Sequence, residues 1–414
     1  MTQDNNIPQG YKQTELGIIP EDWEIMTFDE LGTFSKGSGV SRAESNTGNI
    51  PCIRYGELCT HHNDYIKAYN SCISKTVASK AKLLQYGDVL FAASGETKEE
   101  IGKSAAFVNS CEAYAGGDII ILSTNSKLCD AKYIGYASNA PYVTKQKATK
   151  GQGDAVVHIT SEAIKTISIN IPPIAEQRAI AEALSDVDGV IAALDKKIAK
   201  KRLIKQGAMQ QFLTGKKRLP GFSDEWLEKK LGDIGTLSMC KRIFQEETSD
   251  SGDVPFYKIG TFGQDADAFI SKDKYEHYKN MYRFPKKGDI LISAAGTIGR
   301  IVVYDGKPAY FQDSNIIWLA HNQKDILNRY LSYIYQIIEW NTENTTIERL
   351  YNDNFNNTIV FFPKSQIEQQ AIATVLSDMD KEIADLEAQR DKYRLLKSGM
   401  MQKLLTGQIR LKTE

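Results

Sequence analysis

Several groups of residues in this 414-residue chain carry side chains able to do chemistry. Gly102-Lys103-Ser104 has the tail of a phosphate-binding loop, in which glycine amides cradle phosphate and the lysine neutralises it. That motif needs a glycine five positions before Gly102, where Thr97 stands. Asp88 with Glu96, Thr97 and Lys98 has the spacing of a metal-dependent nuclease, two acids holding Mg²⁺ and a lysine beside the water. The matching stretch downstream, Asp289 followed by Gly296-Thr297-Ile298, lacks the second acid and the lysine. Cys52, Cys59, His61, His62 and Cys72 are soft ligands close in sequence, yet they form no tight C-x₂-C pair and have no downstream counterpart. Gly151-Gln152-Gly153 lacks the glycine spacing of a dinucleotide turn. Ile171-Pro172-Pro173-Ile174 lacks the amide and the ring of an amino-methylation motif. The catalytic constellations are incomplete, which points to a binding protein.

The remaining candidates bind rather than react. In the first half, Lys36, Ser38, Arg42 and Arg54 sit near Gly37, Gly39 and Tyr55, and Lys98 and Lys103 flank the loop just described. Lys145, Lys147, Lys150 and Gln152 fall in the polar stretch YVTKQKATKGQGD. The second half offers Lys241, Arg242, Lys258, Thr297, Arg300, Arg349, Asn352 and Asn354. Basic side chains and glycine amides hold phosphates, while Arg, Asn, Gln and Ser edges read bases. Any one of these residues also reads as solvated surface; the set is assigned to double-stranded DNA.

Composition sets the class. A formal net charge of -1 does not announce nucleic acid, so such a role must come from local charge. The hydrophobic fraction of 42% excludes a disordered chain. No run of about 18 apolar residues marks a membrane span, and the N-terminus reads as no secretory signal. Five of the six cysteines precede residue 130, which suits a reducing cytoplasm better than a disulfide framework. Length alone suggests about three domains.

The elements that position these residues come from an internal repeat. Glu176–Leu219 aligns without a gap on Glu368–Leu411, with 24 identities over 44 positions. The upstream halves repeat loosely: the surroundings of Trp23 and Trp226, IPCIRYG and VPFYKIG, YGDVLFAASGE and KGDILISAAGT. The helical parts are near copies and the globular parts have diverged. Ile180, Leu184, Val187, Ile191, Leu194 and Ile198 follow the a/d spacing of a coiled coil, as do Ile372, Leu376, Met379, Ile383 and Leu386. The seam slips after Ile198 and Leu386, where Arg390 replaces an apolar residue. About 39 residues at 1.5 Å rise give each helix roughly 58 Å. Pseudo-twofold symmetry makes the strands antiparallel and places the globular parts at opposite ends. Pro172-Pro173 and Pro363 mark the helix starts, Gly215 and Gly407 the ends. Between Glu176 and Leu219 the charge is +5, and between Glu368 and Leu411 it is zero.

Short β-rich runs such as DVLFAA, DIIIL, DILIS, RIVVY and IIWL, with the helical stretches YIGYASN and RYLSYIYQIIEW, give an α+β fold class. The expected architecture is two globular mixed α/β domains joined by two long helices in an intramolecular antiparallel coiled coil, with a pseudo-twofold repeat. The expected boundaries are 1–172 for the N-terminal arm and first domain, 173–219 for the first helix, 220–363 for the second domain and 364–414 for the second helix.

The stretches GYKQTELGIIPEDWE, IPPIAEQRAIAEAL, LTGKKRLPGFSDEWLEKKLGDI, IEQQAIATVLSDMD and LLTGQIRL resemble the specificity subunit of type I restriction-modification systems over essentially the whole chain. The resemblance implies that each globular part is a target recognition domain reading one half of a bipartite DNA sequence. It implies two methyltransferase subunits as partners, with a restriction–translocation subunit as a further one. S-adenosylmethionine, ATP and Mg²⁺ would belong to those subunits and none to this chain. The family offers no catalytic residues to carry over. The neutral second helix departs from the plainest picture, in which both helices contact DNA equally.

Three rivals stay open at this level: a nuclease using Asp88, Glu96 and Lys98, a protein scaffold with no DNA role, and a lone DNA-binding regulator. Salt separates the scaffold from the rest. Phosphate contacts predict an affinity for duplex DNA that falls steeply as salt rises, measured by titration at several ionic strengths; a flat response favours the scaffold.

Overall fold

The computed structural model describes residues 7–153, 156–341 and 349–411. Two compact units emerge: Met1–Asp195 with Gln389–Glu414, and Lys196–Ala388. This division cuts across the one suggested by the repeat, because each unit takes half of both long helices.

In the first unit a five-stranded sheet has the order Gly32–Lys36, Ile119–Thr124, Asp88–Ala92, Ser104–Ala106, Asp64–Tyr65, antiparallel except for the last pair. Beside it lies a four-stranded sheet of Ser71–Ile73, Ile50–Ile53, Tyr114–Ala115 and Lys82–Leu83. Every residue of Asp88–Ala92 is buried, and residues 89–92 read as a continuous apolar run because both faces of the strand are covered. The second unit repeats the plan. Thr236–Met239, Ile316–Ala320, Ile290–Ser293 and Ile301–Val303 form an antiparallel sheet. Phe269–Ile270, Val254–Tyr257 and Tyr310–Phe311 form its smaller companion, whose last pair is parallel, as is the matching pair Ile50–Ile53 and Tyr114–Ala115. The topology is conserved between units whose sequences barely align. The expected α+β class and the duplicated architecture are present.

The long helices run over Ile174–Phe212 and Gln366–Leu404. In the first unit Ile180 and Leu184 of the first helix share a core with Leu404 and Leu405 at the end of the second. In the second unit Met209 and Leu213 share a core with Ile372 and Leu376. The start of each helix therefore meets the end of the other, which is an antiparallel pair. Of the expected seam, Ile180, Leu184, Leu194, Ile198, Ile372, Leu376, Ile383 and Leu386 are buried, and Val187, Ile191 and Met379 are half-buried. Where the seam slips, ion pairs replace it. Arg390 reaches Asp195 at 3.5 Å in the first unit; Lys201 reaches Glu382 at 2.7 Å, and Arg202 pairs with Glu387, in the second. Gly215 and Gly407 close the helices in left-handed conformation, at φ +69° and +72°.

The repeated Glu-Gln after the prolines fastens each helix start. Gln177 donates to the carbonyls of Leu128 (2.9 Å) and Pro172 (2.8 Å) and accepts from the Asp130 amide (2.8 Å). Gln369 donates to the carbonyls of Asp325 and Pro363, both at 2.8 Å, and accepts from the Leu327 amide at 2.8 Å. Glu176 accepts from Trp23 Nε1 at 3.0 Å and from Arg410 at 2.8 and 2.7 Å; Glu368 accepts from Arg218 at 2.5 and 2.6 Å. Arg410 follows the second helix and Arg218 the first, so each carboxylate staples the start of one helix to the chain leaving the other.

Gln177→Ala strips three hydrogen bonds from a buried site. It is expected to destabilise the first unit by roughly 2–4 kcal/mol, read as a lower urea midpoint. Gln177→Glu should be no better, because a carboxylate would face two carbonyl oxygens.

Candidate nucleic-acid interface

Each unit carries a turn after its central strand, and the two turns are built alike but furnished differently. In the first unit Ser94–Gly95 pairs with Val157–His158, and Ser94 Oγ lies 3.0 Å from His158 Nδ1. This pairing draws Gln152, bridged to His158, toward the turn of Glu96, Thr97 and Lys98. Glu96, Thr97, Lys98, Gly153 and Val157 line a cavity of about 320 Å³. In the second unit Ala295 bridges Arg349. Ser293 Oγ donates to the Thr297 carbonyl and accepts from the Arg300 amide at 2.9 Å, which sets the turn. Gly299 at φ +81° leaves no room for a side chain, since a Cβ would stand 2.5 Å from the Trp340 indole nitrogen.

The second turn collects more of the expected residues than the first. Arg349 donates to the Ser314 carbonyl (3.3 Å) and to Asn315 Oδ1 (3.4 Å). Gln312 accepts from the amide of Ile259, next to Lys258, at 2.9 Å, and a Cβ on Gly296 would lie 3.8 Å from Ile259. Thr297, Arg300, Arg349 and Lys258 thus share one neighbourhood. Arg300 is half-buried and donates to the Phe262 carbonyl at 2.9 Å. Arg242 is exposed and borders this neighbourhood, paired at 2.8 Å with Asp313, which lies between Gln312 and Ser314; Lys241 is exposed 5.4 Å from the Tyr282 ring. Asn352 is exposed and Asn354 half-buried on the short helix Asn352–Asn357. Gln312, Asn315 and His158 were missed by sequence reasoning. Contacts between distant segments bring them in (Ser94 with His158, Ile259 with Gln312, Arg349 with Asn315), and no local pattern signals those.

In the first unit Lys36, Ser38, Arg42, Lys98, Lys145 and Gln152 are exposed, and Lys150 is half-buried. Arg54 is drawn inward by Glu57 at 3.5 Å, and Lys103 donates to the Cys59 carbonyl at 2.8 Å. Both hold the scaffold. Asp88 is a turn cap, its carboxylate accepting from the Gln85 amide (2.8 Å) and Ser123 Oγ (2.6 Å). Asp289 caps the matching turn through the Lys286 amide at 2.8 Å. The acid proposed for the nuclease reading is therefore occupied structurally in both units. Cys52 lies in a strand whose neighbour holds Cys72, and burial pushes its thiol up to about 12. Among the described residues no group of three or more His, Cys, Asp or Glu side chains is placed to hold a metal ion. Among them, too, no helix is long and apolar enough to cross a membrane.

The sequence matches the family described as type I restriction modification DNA specificity domain over residues 20–201 and again over 223–393. A Haemophilus influenzae protein, provisionally named as a type I restriction enzyme specificity subunit, is 50% identical over 152 residues, 36% of this chain and 39% of that protein. A Methanocaldococcus jannaschii protein with the same kind of provisional name is 24% identical over 430 residues, covering 98% of each chain. The crystal structure of a type I restriction-modification S subunit from M. genitalium superposes with a TM-score of 0.59 at 16% identity, covering 98% of both chains.

Lys147 corrects the expectation of a DNA-facing lysine. It is 1% exposed, and its ammonium donates to the carbonyls of Gly102 (2.7 Å) and Ser138 (2.9 Å). Burial pushes its pKa down to about 7, with Asp64 acting in the opposite sense. Between about pH 7 and the ordinary lysine range the unfolded chain binds a proton that the folded chain releases. Folding stability therefore rises with pH through that window. Lys147→Met is expected to remove this rise. The stability difference between wild type and variant should change by on the order of 3 kcal/mol between pH 6 and pH 9, measured by urea unfolding.

Proposed function

The chain belongs to the type I restriction-modification DNA specificity family, and on that premise we propose that it is the DNA-reading, non-catalytic subunit of a methyltransferase assembly. Each unit reads one half of a bipartite, asymmetric target, and the paired helices set the number of unread base pairs between the halves. Two methyltransferase subunits are the partners, and a restriction–translocation subunit joins them in some assemblies. S-adenosylmethionine is bound by the methyltransferases, and ATP and Mg²⁺ by the larger assembly; this chain binds none of them. The proposal places the protein in the cytoplasm, where DNA and those partners are found.

One observation carries this reading: a single scaffold occurs twice with different chemistry at the same turn. Glu96, Thr97 and Lys98 with Gln152 and His158 stand in one unit where Thr297, Ile298 and Arg349 stand in the other. Such positions differ in what they can donate and accept toward base edges, so the two half-sites should differ. The strands beneath are alike, so the approach to the duplex should be alike. The charge imbalance of the helices also finds an explanation. Lys201, Arg202 and Lys205 of the basic helix pair with Glu382, Glu387 and Asp380, so these bases join helices and are not a rail for DNA.

Methylome sequencing of cells with and without the protein should show one asymmetric motif of two short halves around a fixed gap. A four-residue insertion near Thr214-Gly215 should lengthen the gap and leave both halves unchanged. Altered halves with the old gap would overturn the ruler.

A further inference from the structure

The helix pairing contains a duplicated polar device. In the first unit Asp188, on the first long helix, meets the Lys397 ammonium of the second at 2.8 Å. Its other oxygen accepts from the Tyr136 hydroxyl at 2.7 Å, and the Lys397 ammonium stands 5.1 Å from the Tyr136 ring centre. In the second unit the roles of the helices are exchanged. Asp380 of the second helix pairs with Lys205 of the first and accepts from the Tyr333 hydroxyl at 2.8 Å, with the ammonium 5.5 Å from that ring. Asp188 and Asp380 occupy the same repeat position, as do Lys205 and Lys397. Tyr136 and Tyr333 stand at the sixth residue of the matching helices Ala131–Ser138 and Asn328–Ile334. The same aspartate thus ties helix to helix and helix to globular part, once in each unit.

We infer that Asp188–Lys397–Tyr136 and Asp380–Lys205–Tyr333 are a matched pair of register pins, positioning residues that fix how far the long helices slide along one another. Apolar contacts alone oppose sliding by whole turns only weakly, because neighbouring turns along the seam offer further apolar side chains. A charge pair tolerates none, since a slip of one turn, about 5.4 Å, strands both charges in a half-buried seam. Buried polar groups have this registering role in paired helices generally. The pins are unequal. In the first unit Asp64, at φ +58°, adds a second carboxylate 2.6 Å from Lys397, and Lys67 stands 2.9 Å from Asp188. Burial opposes ionisation of Asp188, but Lys397 outweighs it and holds the carboxyl below its usual range. The second unit has the bare pair and tyrosine, with Asp380 more open to solvent.

The consequence for gap length rests on the proposed ruler, whereas the register itself does not. A slip of one turn corresponds to roughly one to two base pairs at about 3.4 Å each. The test uses the full chain with Lys205→Asp, which sets two acids face to face, and with Lys205→Asp combined with Asp380→Lys, which restores opposite charges. Spin labels carried by unnatural residues at the exposed positions 200 and 381 report the register by pulsed dipolar spectroscopy. Selection from a duplex library reports half-sites and gap. The single variant should shift or split the distance by about 5 Å and accept gaps longer or shorter by one or two base pairs, with unchanged half-sites. The double variant should return to one distance and one gap. A chain that melts earlier yet keeps one distance and one gap, even when Lys397→Asp is added to Lys205→Asp, would overturn the pins. If the wild-type chain selects no sequence, the ruler falls, and the distance measurement still decides the register.

Discussion

A buried carboxylate at the first turn of each long helix, held by an arginine just beyond the end of the other, is the constraint on which the remaining structure depends. Glu176 and Glu368 are almost fully buried, and each would be an uncompensated charge without Arg410 or Arg218. The pairing is reciprocal, so it specifies an antiparallel pair by itself: a parallel arrangement would bring start to start and leave both acids unmatched. Trp23 and Trp226 lie at these joints, 5.9 and 5.7 Å from the arginine that serves each, so the strands Glu24–Thr27 and Trp226–Lys230 are fastened where the helices begin. The arrangement also explains why the chain can leave one helix and start the next unit in the same way that its own N-terminal part starts.

Much of this was legible in the sequence because duplication acts as an internal control. The Glu-Gln after proline, the leucine spacing and the Thr-Gly before the arginine recur at one offset, and each recurrence proves to be a contact. The same alignment contained a signal that went unread. Asp188, Asp380, Lys205 and Lys397 are identical polar residues inside a helix whose neighbours vary, which marks positions held by a partner rather than by solvent. Helix periodicity draws attention to apolar residues and hides charges that work within the seam.

The candidate site was legible only as a set of charged and polar residues. A sequence marks lysines by their charge, and charge says nothing about direction: Lys147 points into the protein and Lys103 ties two segments together, while Lys98 stays exposed. The residues gathered around Arg349 are set by pairings across dozens of positions, such as Ala295 with Arg349, so local spacing cannot reveal them. A conserved scaffold with free turn residues permits this. Asp88 and Asp289 cap equivalent turns and fix the backbone, and the side chains beyond them can change without disturbing the sheet.

The central claim of the proposed function is that two units built on one scaffold read different half-sites. The most direct measurement replaces the first globular part, between Trp23 and Ile171, with a second copy of the stretch from Trp226 to Phe362, and determines the bound DNA sequence by selection from a duplex library. A palindrome, with the second half-site present twice in inverted orientation around the original gap, is the predicted result. A target that keeps its asymmetry, or that has a single half-site, would contradict the account.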